Sequence, residues 1–237
     1  MTLNDPLNDP KAVASLIDHT LLKPEAARAA VARLCDEARQ FSFASVCVNP
    51  CWVQLTAEML ADSSVTVCTV IGFPLGANDA RTKLAEARIA LADGAEEVDM
   101  VQNIGALCSQ DFQLVRKEIA EIASLAHSHG AILKVILETC LLNQQQKITA
   151  CTLAEEANAD FVKTSTGFST GGATLEDVKL MRQTVSPPIG VKASGGIRTL
   201  EALRLMVSAG ANRIGTSSGV NIVREVTAIA AGGHGQG

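Results

Sequence analysis

Apolar residues recur along the chain in short, β-branched runs: "SLIDHT", "FASVCVN", "VTVCTVIG", "EEVDMV", "ILKVILE", "DFVKTS", "IGVKAS" and "NRIGTS". Each has the length and side-chain type of a buried strand. Between them lie longer stretches rich in Ala, Leu, Glu, Lys and Arg at helical spacing, such as "NDARTKLAEARIALADGA" and "TLEALRLMVSAGA". Asn78 or Asp79 is expected to cap the first and Gly94 to stop it, with Thr199 and Gly210 in those roles for the second. Strand and helix alternating in this way, with no linker, predict an α/β fold: a parallel (β/α)8 TIM barrel forming a single domain over residues 1–237. Residues 1–14 are expected to form an N-terminal extension with a helix, and residues 231–237, "AGGHGQG", a flexible tail. The rival architecture, a doubly wound open sheet, normally carries a Gly-rich dinucleotide fingerprint after its first strand. None follows "SLIDHT".

Barrel chemistry gathers at the C-terminal ends of the strands. Asp18, Cys47, Asp99, Lys134, Glu138, Lys163 and Lys192 all stand inside otherwise apolar runs, where an unpaired charge is costly. Opposite charges collected at one barrel mouth remove that objection. Lys163 and Lys192 lie about one strand-helix unit apart, which puts them on neighbouring strands roughly 5 Å apart. At an effective dielectric of about 20 and a separation of about 6 Å, two ammonium groups repel by roughly 3 kcal/mol, or about two pKa units on one of them. Burial acts in the same direction. The expected result is an amine partly neutral near neutral pH, able to attack a carbonyl and form an imine. Asp99 is expected to point inward with Glu97 below it on the same face, either balancing a lysine or moving protons during imine formation.

A second cluster is built of glycine and hydroxyl groups. "STGFSTGG", "SGGIRT" and "GTSSGV" follow the sixth, seventh and eighth strands, and the last two lead straight into helices. Backbone donors and helix dipoles converging on one rim make an anion site at the position where barrels bind phosphate.

Composition narrows the picture further. Hydrophobic residues at 47% against 19% charged describe a globular chain. A net charge of -5, a pI near 5.4 and the lack of any basic run argue against nucleic acid or an anionic membrane as partner. The start "MTLNDPLNDPKAV" has no secretory pattern and no apolar run approaches the ~20 residues of a membrane span, so a cytoplasmic location is expected. Seven cysteines, an odd number irregularly spaced, read as reduced thiols. Cys47 and Cys51 in "CVNPC" find no second ligand pair, so no metal is expected.

"DFVKTSTGF", "GVKASGGIRT", "EEVDMVQNIGAL", "LKVILET", "VIGFPLG" and "RIGTSS" together resemble the deoxyribose-phosphate aldolase family of class I aldolases, from about Leu16 to about Gly219. The resemblance implies reversible cleavage of 2-deoxy-D-ribose 5-phosphate to acetaldehyde and D-glyceraldehyde 3-phosphate, in deoxyribonucleotide catabolism, without metal or organic cofactor. It implies that Lys163 forms the imine, that Lys192 lowers its pKa and that Asp99 relays protons. Thr164, Gly167, Gly195, Gly196, Ser217 and Ser218 fall where the family binds substrate and phosphate, and Asp18, Cys47 and Lys134 are expected to line the same pocket. The implied partner is a small sugar phosphate, and the chain is expected to be a homo-oligomer, a dimer or tetramer. Some family members carry a lysine where this chain has Phe168, which would leave phosphate binding to backbone donors and hydroxyls. Some use a C-terminal tyrosine, and this chain contains no tyrosine. The alternatives are another Schiff-base aldolase or transaldolase acting on a sugar phosphate, or a non-catalytic sugar-phosphate-binding subunit.

Overall fold

The computed structural model describes residues 6–232. Within them eight parallel strands close into a barrel in sequence order. The strands are β1 (Ile17–Leu21), β2 (Ser45–Val48), β3 (Thr66–Ile71), β4 (Glu97–Val101), β5 (Ile132–Ile136), β6 (Phe161–Lys163), β7 (Gly190–Ser194) and β8 (Arg213–Thr216). All eight runs singled out by their apolar pattern are therefore strands, joined as a (β/α)8 TIM barrel.

The helices are α1 (Pro10–Ala14), α2 (Arg28–Phe41), α3 (Val53–Leu60), α4 (Ala80–Ala92), α5 (Ile104–Cys108), α6 (Phe112–Ser128), α7 (Gln144–Glu156), α8 (Leu175–Thr184), α9 (Leu200–Ser208) and α10 (Gly219–Gly232). Their ends follow local side-chain chemistry. Asp79 caps α4 by accepting from Arg81 N, and Thr199 caps α9 by accepting from Ala202 N. Gly94 and Gly210 take positive φ just past the two helix ends, the backbone turn that glycine makes without a Cβ penalty. At the N-terminal extension, α1 packs against α10. Ala231 and Gly232 belong to α10, while residues 233–237 of the expected tail lie outside the described residues.

Two apolar layers result. The larger lies between strands and helices, where outward-facing residues such as Val46, Val98, Val135, Val162 and Val191 are buried. The smaller lies inside the barrel and comprises Leu22, Cys47, Cys68 and Val70, with Phe73 packed against it. Charged side chains and the Phe161 ring fill much of the rest of the interior. Strands β5 and β6 end earlier than the sequence pattern implies: β5 ends at Ile136, although Leu137 N still donates to Lys163 O at 2.9 Å, and Glu138 then turns the chain with a left-handed φ of 56°. That turn aims Glu138 at the loop after β6.

Candidate active site

Every strand sends a polar or ionisable side chain inward: Asp18, Cys47, Cys68, Glu97 with Asp99, Lys134, Lys163, Lys192 and Arg213 from β1 to β8 in turn. Strand register brings them together. Asp99 stands opposite Lys134, Lys163 opposite Lys192, and Cys47 opposite Cys68.

Asp99 is the hub. Its Oδ2 accepts from Lys163 Nζ at 2.7 Å and from Lys192 Nζ at 2.7 Å, while Oδ1 accepts from Lys134 Nζ at 2.8 Å and from the Cys68 thiol at 3.3 Å. A second tier of carboxylates ties the cations together. Asp18 lies 2.5 Å from Lys192 Nζ and 2.6 Å from Arg213 Nη1. Glu97 lies 2.5 Å from Lys134 Nζ and 3.2 Å from Arg213 Nη1. Four cationic side chains thus face three buried carboxylates.

The charges follow from this pairing. Burial opposes ionisation of Asp99, yet Lys134, Lys163 and Lys192 outweigh it and hold the carboxyl well below the usual carboxylate range. Burial likewise opposes the charge on Lys192, but Asp18 and Asp99 outweigh it and push that amine up. Lys192 is held as an ammonium, because Asp18 and Asp99 both lie within bonding distance of it.

Above the cluster opens a cavity of about 390 Å³, of the size that holds a small ligand. Lys163 is on its wall, together with Gly167, Gly195, Gly196 and Ser217 from the three glycine-rich loops. Gly195, Gly196 and Gly167 all have positive φ; a Cβ on Gly195 would come 2.9 Å from Gly172 Cα, whereas one on Gly196 would meet nothing within 4 Å. Open space over left-handed backbone is what lets a ligand approach the amides.

Other expected pocket residues are not on this wall. Asp18, Cys47 and Lys134 are fully buried: Asp18 and Lys134 belong to the charged cluster, and Cys47 to the small apolar layer inside the barrel. Thr164 is spent on structure, since its hydroxyl donates to Ser194 O at 3.1 Å and accepts from Ser194 N at 3.0 Å. Ser218 opens α10, with its carbonyl accepting from Ile222 N at 3.1 Å and its N–H donating to Thr216 Oγ1 at 2.9 Å.

The cavity also holds residues the sequence reading passed over. Lys23 and Arg198 line it, so cationic side chains are present at this end although position 168 is a phenylalanine. Ser194 lines it too, and its buried Oγ has no partner among the described residues. Glu138 fixes the loop after β6 by accepting from Thr166 Oγ1 at 2.5 Å, and Thr166 Oγ1 accepts from Phe168 N at 3.0 Å. Phe168 then meets Phe73 edge to face, with ring centroids 5.3 Å apart. Arg213 could have been found by the test applied to the lysines: it is a charge inside the strand run "NRIGTS".

Two donor sets, Cys47 with Cys68 and Asp99, and Asp18 with Cys68 and Glu97, each lie within 4.8 Å. Their carboxylates already neutralise lysines. A divalent cation there would be surrounded by ammonium groups, an arrangement electrostatics disfavours.

The fold and the site define a barrel whose interior gathers amines and carboxylates beside a cavity of small-ligand size. Residues 12–226 match the model of the DeoC/LacD family aldolases, and the chain belongs to that family of lyases. Deoxyribose-phosphate aldolase from Brevibacillus brevis is 61% identical over 207 residues, covering 87% of this chain and 93% of that protein. The deoxyribose-phosphate aldolase of Caldanaerobacter subterraneus subsp. tengcongensis is 58% identical over 214 residues, covering 90% and 93%. Among solved structures, a deoxyribose phosphate aldolase from Aeropyrum pernix, described as having a unique tetrameric structure, has a TM-score of 0.88 at 36% identity, covering 97% of this chain and 100% of its own. No helix among the described residues is long and apolar enough to cross a membrane.

Proposed function

We propose that the chain reversibly cleaves 2-deoxy-D-ribose 5-phosphate into acetaldehyde and D-glyceraldehyde 3-phosphate through an imine on Lys163. The observation that carries this reading is the single Asp99 oxygen shared by Lys163 and Lys192 beside the cavity. Of the four cations, Lys163 alone combines one shared carboxylate oxygen with a place on the cavity wall.

In the neutral form, the Lys163 amine adds to C1 of the open-chain sugar, giving a carbinolamine. Asp99 passes protons so that water leaves and a protonated imine remains. Loss of the C3 hydroxyl proton then breaks the C2–C3 bond. The electron pair moves into the imine to give an enamine, and glyceraldehyde 3-phosphate departs. Protonation of the enamine at C2 and addition of water release acetaldehyde and restore the amine. Lys192, held charged by Asp18 and Asp99, keeps positive potential beside the reacting nitrogen throughout.

The phosphate would sit against Gly167, Gly195, Gly196 and Ser217, at the opposite end of the cavity chemistry from the amine. The family match and relatives of the same printed activity support this substrate over other sugar phosphates. Borohydride reduction with acetaldehyde present tests it. The expected result is a two-carbon adduct on Lys163, and an adduct on another lysine, or none, would sink the assignment.

A further inference from the structure

Arg213 has no place in the mechanism above, yet it is built into the cluster with more care than a neutral filler needs. Its Nη1 lies 2.6 Å from Asp18 Oδ1 and 3.2 Å from both oxygens of Glu97. Its guanidinium carbon stands 5.6 Å from the centre of the Phe161 ring. Gly190 leaves room for that ring, since a Cβ there would come 2.1 Å from Phe161. An aromatic platform, a glycine cut-out and two carboxylates therefore hold one permanently charged group inside a barrel.

Counting charges gives this a purpose. Lys134, Lys163, Lys192 and Arg213 face Asp18, Glu97 and Asp99, which leaves one positive charge in excess. Lys134 meets all three carboxylates within 4.0 Å, while Lys192 and Arg213 each meet two. Lys163 meets one, at an oxygen it shares. Removing its proton balances the cluster and forfeits the least pairing. Of the remaining groups facing this cluster, Cys68 donates to Asp99 and burial pushes its thiol up, while the neighbouring Cys68 lowers the thiol of Cys47.

We propose that Arg213 is a positioning residue of the reaction: it clamps Asp18 against Lys192 and supplies the excess positive charge that displaces the proton from Lys163. The proposal rests on Lys163 being the imine-forming amine. Arg213 does not line the cavity. Its effect passes along the chain Arg213, Asp18, Lys192, Asp99, Lys163, each link 2.7 Å or shorter.

The test is the pH dependence of acetaldehyde trapping by borohydride, located by mass, in wild type, Arg213→Met, Arg213→Lys, Glu97→Gln and the double variant Arg213→Met/Glu97→Gln. A unit charge removed from this cluster without direct contact to Lys163 is expected to move the acidic limb of trapping by roughly one pH unit. Arg213→Met removes a cation and should move the limb to higher pH. Glu97→Gln removes an anion and should move it to lower pH. The double variant should return it close to wild type, and Arg213→Lys should leave it near wild type.

Damage to packing alone would lower trapping at every pH without moving the limb. Such a result, or both single variants moving the same way, overturns the proposal. Should Arg213→Met fail to fold, Glu97→Gln decides alone, because a limb that stays or rises contradicts the charge count. A wild-type protein that yields no adduct on Lys163 defeats the nucleophile assignment itself, and with it this role for Arg213. An adduct on Lys163 whose limb ignores these charges defeats only the latter.

Discussion

Lys163 and Lys192, register partners on β6 and β7, both place their amines 2.7 Å from the same oxygen, Oδ2 of Asp99. The carboxylate therefore does two jobs that repulsion between lysines could not do alone. It keeps two cations in one small volume, and it offers a proton acceptor within reach of whichever amine reacts.

Asp99→Asn tests this arrangement. An amide of the same shape cannot accept and return a proton as a carboxylate does, and it leaves Lys163, Lys192 and Lys134 without their common counter-ion. Turnover should fall by at least about 100-fold. Coupled detection of glyceraldehyde 3-phosphate measures it, and a variant with near wild-type turnover would remove Asp99 from the mechanism.

Acid should unfold the protein through the same cluster. Asp18 and Asp99 are both buried, and their lysine and arginine partners outweigh that burial and hold them below the usual carboxylate range. Their unfolded value is about 3.9, so as the pH falls the unfolded chain takes up protons first. The stability they contribute is complete above about pH 5 and is lost progressively below about pH 4. Thermal midpoints across this range should show that loss. Asp18→Asn should lower the midpoint near neutrality and flatten the acid slope, and an unchanged slope would count against the assignment.

Arg198 and Lys23 give the phosphate end a charge dependence. Both are exposed at the cavity, so each ion pair with a phosphate is screened and worth about 1 kcal/mol. Arg198→Ala should raise KM for the phosphorylated sugar roughly five-fold at low salt, with less effect at high salt and little on kcat. Unphosphorylated deoxyribose provides the control. If its KM rises as much, Arg198 does not read the phosphate.

A buried pair outside the cavity sets the loops after β3 and β4. Lys83 Nζ lies 3.1 Å from both oxygens of Glu118 and donates to Val101 O at 2.9 Å, while Glu118 accepts from Asn103 N at 2.7 Å. Gly72, at a φ of 59°, admits the Lys83 stem, which a Cβ there would meet at 2.9 Å. Lys83→Met leaves Glu118 buried without its cation and should cost about 3–5 kcal/mol, read as a lower urea midpoint. Adding Glu118→Leu should recover much of that loss, and failure to do so would mean packing rather than charge dominates.

The eight strands were legible in the sequence because burial on both faces imposes β-branched runs, and the helix ends because caps and positive-φ glycines act locally. Asp79, Thr199, Gly94 and Gly210 each needed only their neighbours. Lys163 and Lys192 were legible as a pair for a related reason, since one strand-helix unit separates adjacent barrel strands. Arg213 was not singled out, because a charge on the first residue of a strand looks solvated until closure of the barrel sets it against Asp18 and Glu97, and Lys23 was not because nothing local ties an exposed lysine to the cavity.

By itself, then, the order of residues determined the barrel, the two neighbouring amines and the glycine-rich rim, all of which follow from short-range rules of periodicity, capping and backbone freedom. Only the tertiary structure decided how the charges are shared. Asp18 on β1 meets Arg213 on β8, and Asp99 on β4 reaches Lys192 on β7, across sequence separations of 195 and 93 residues. Coulomb energies depend on distance and local dielectric, and chain closure sets both.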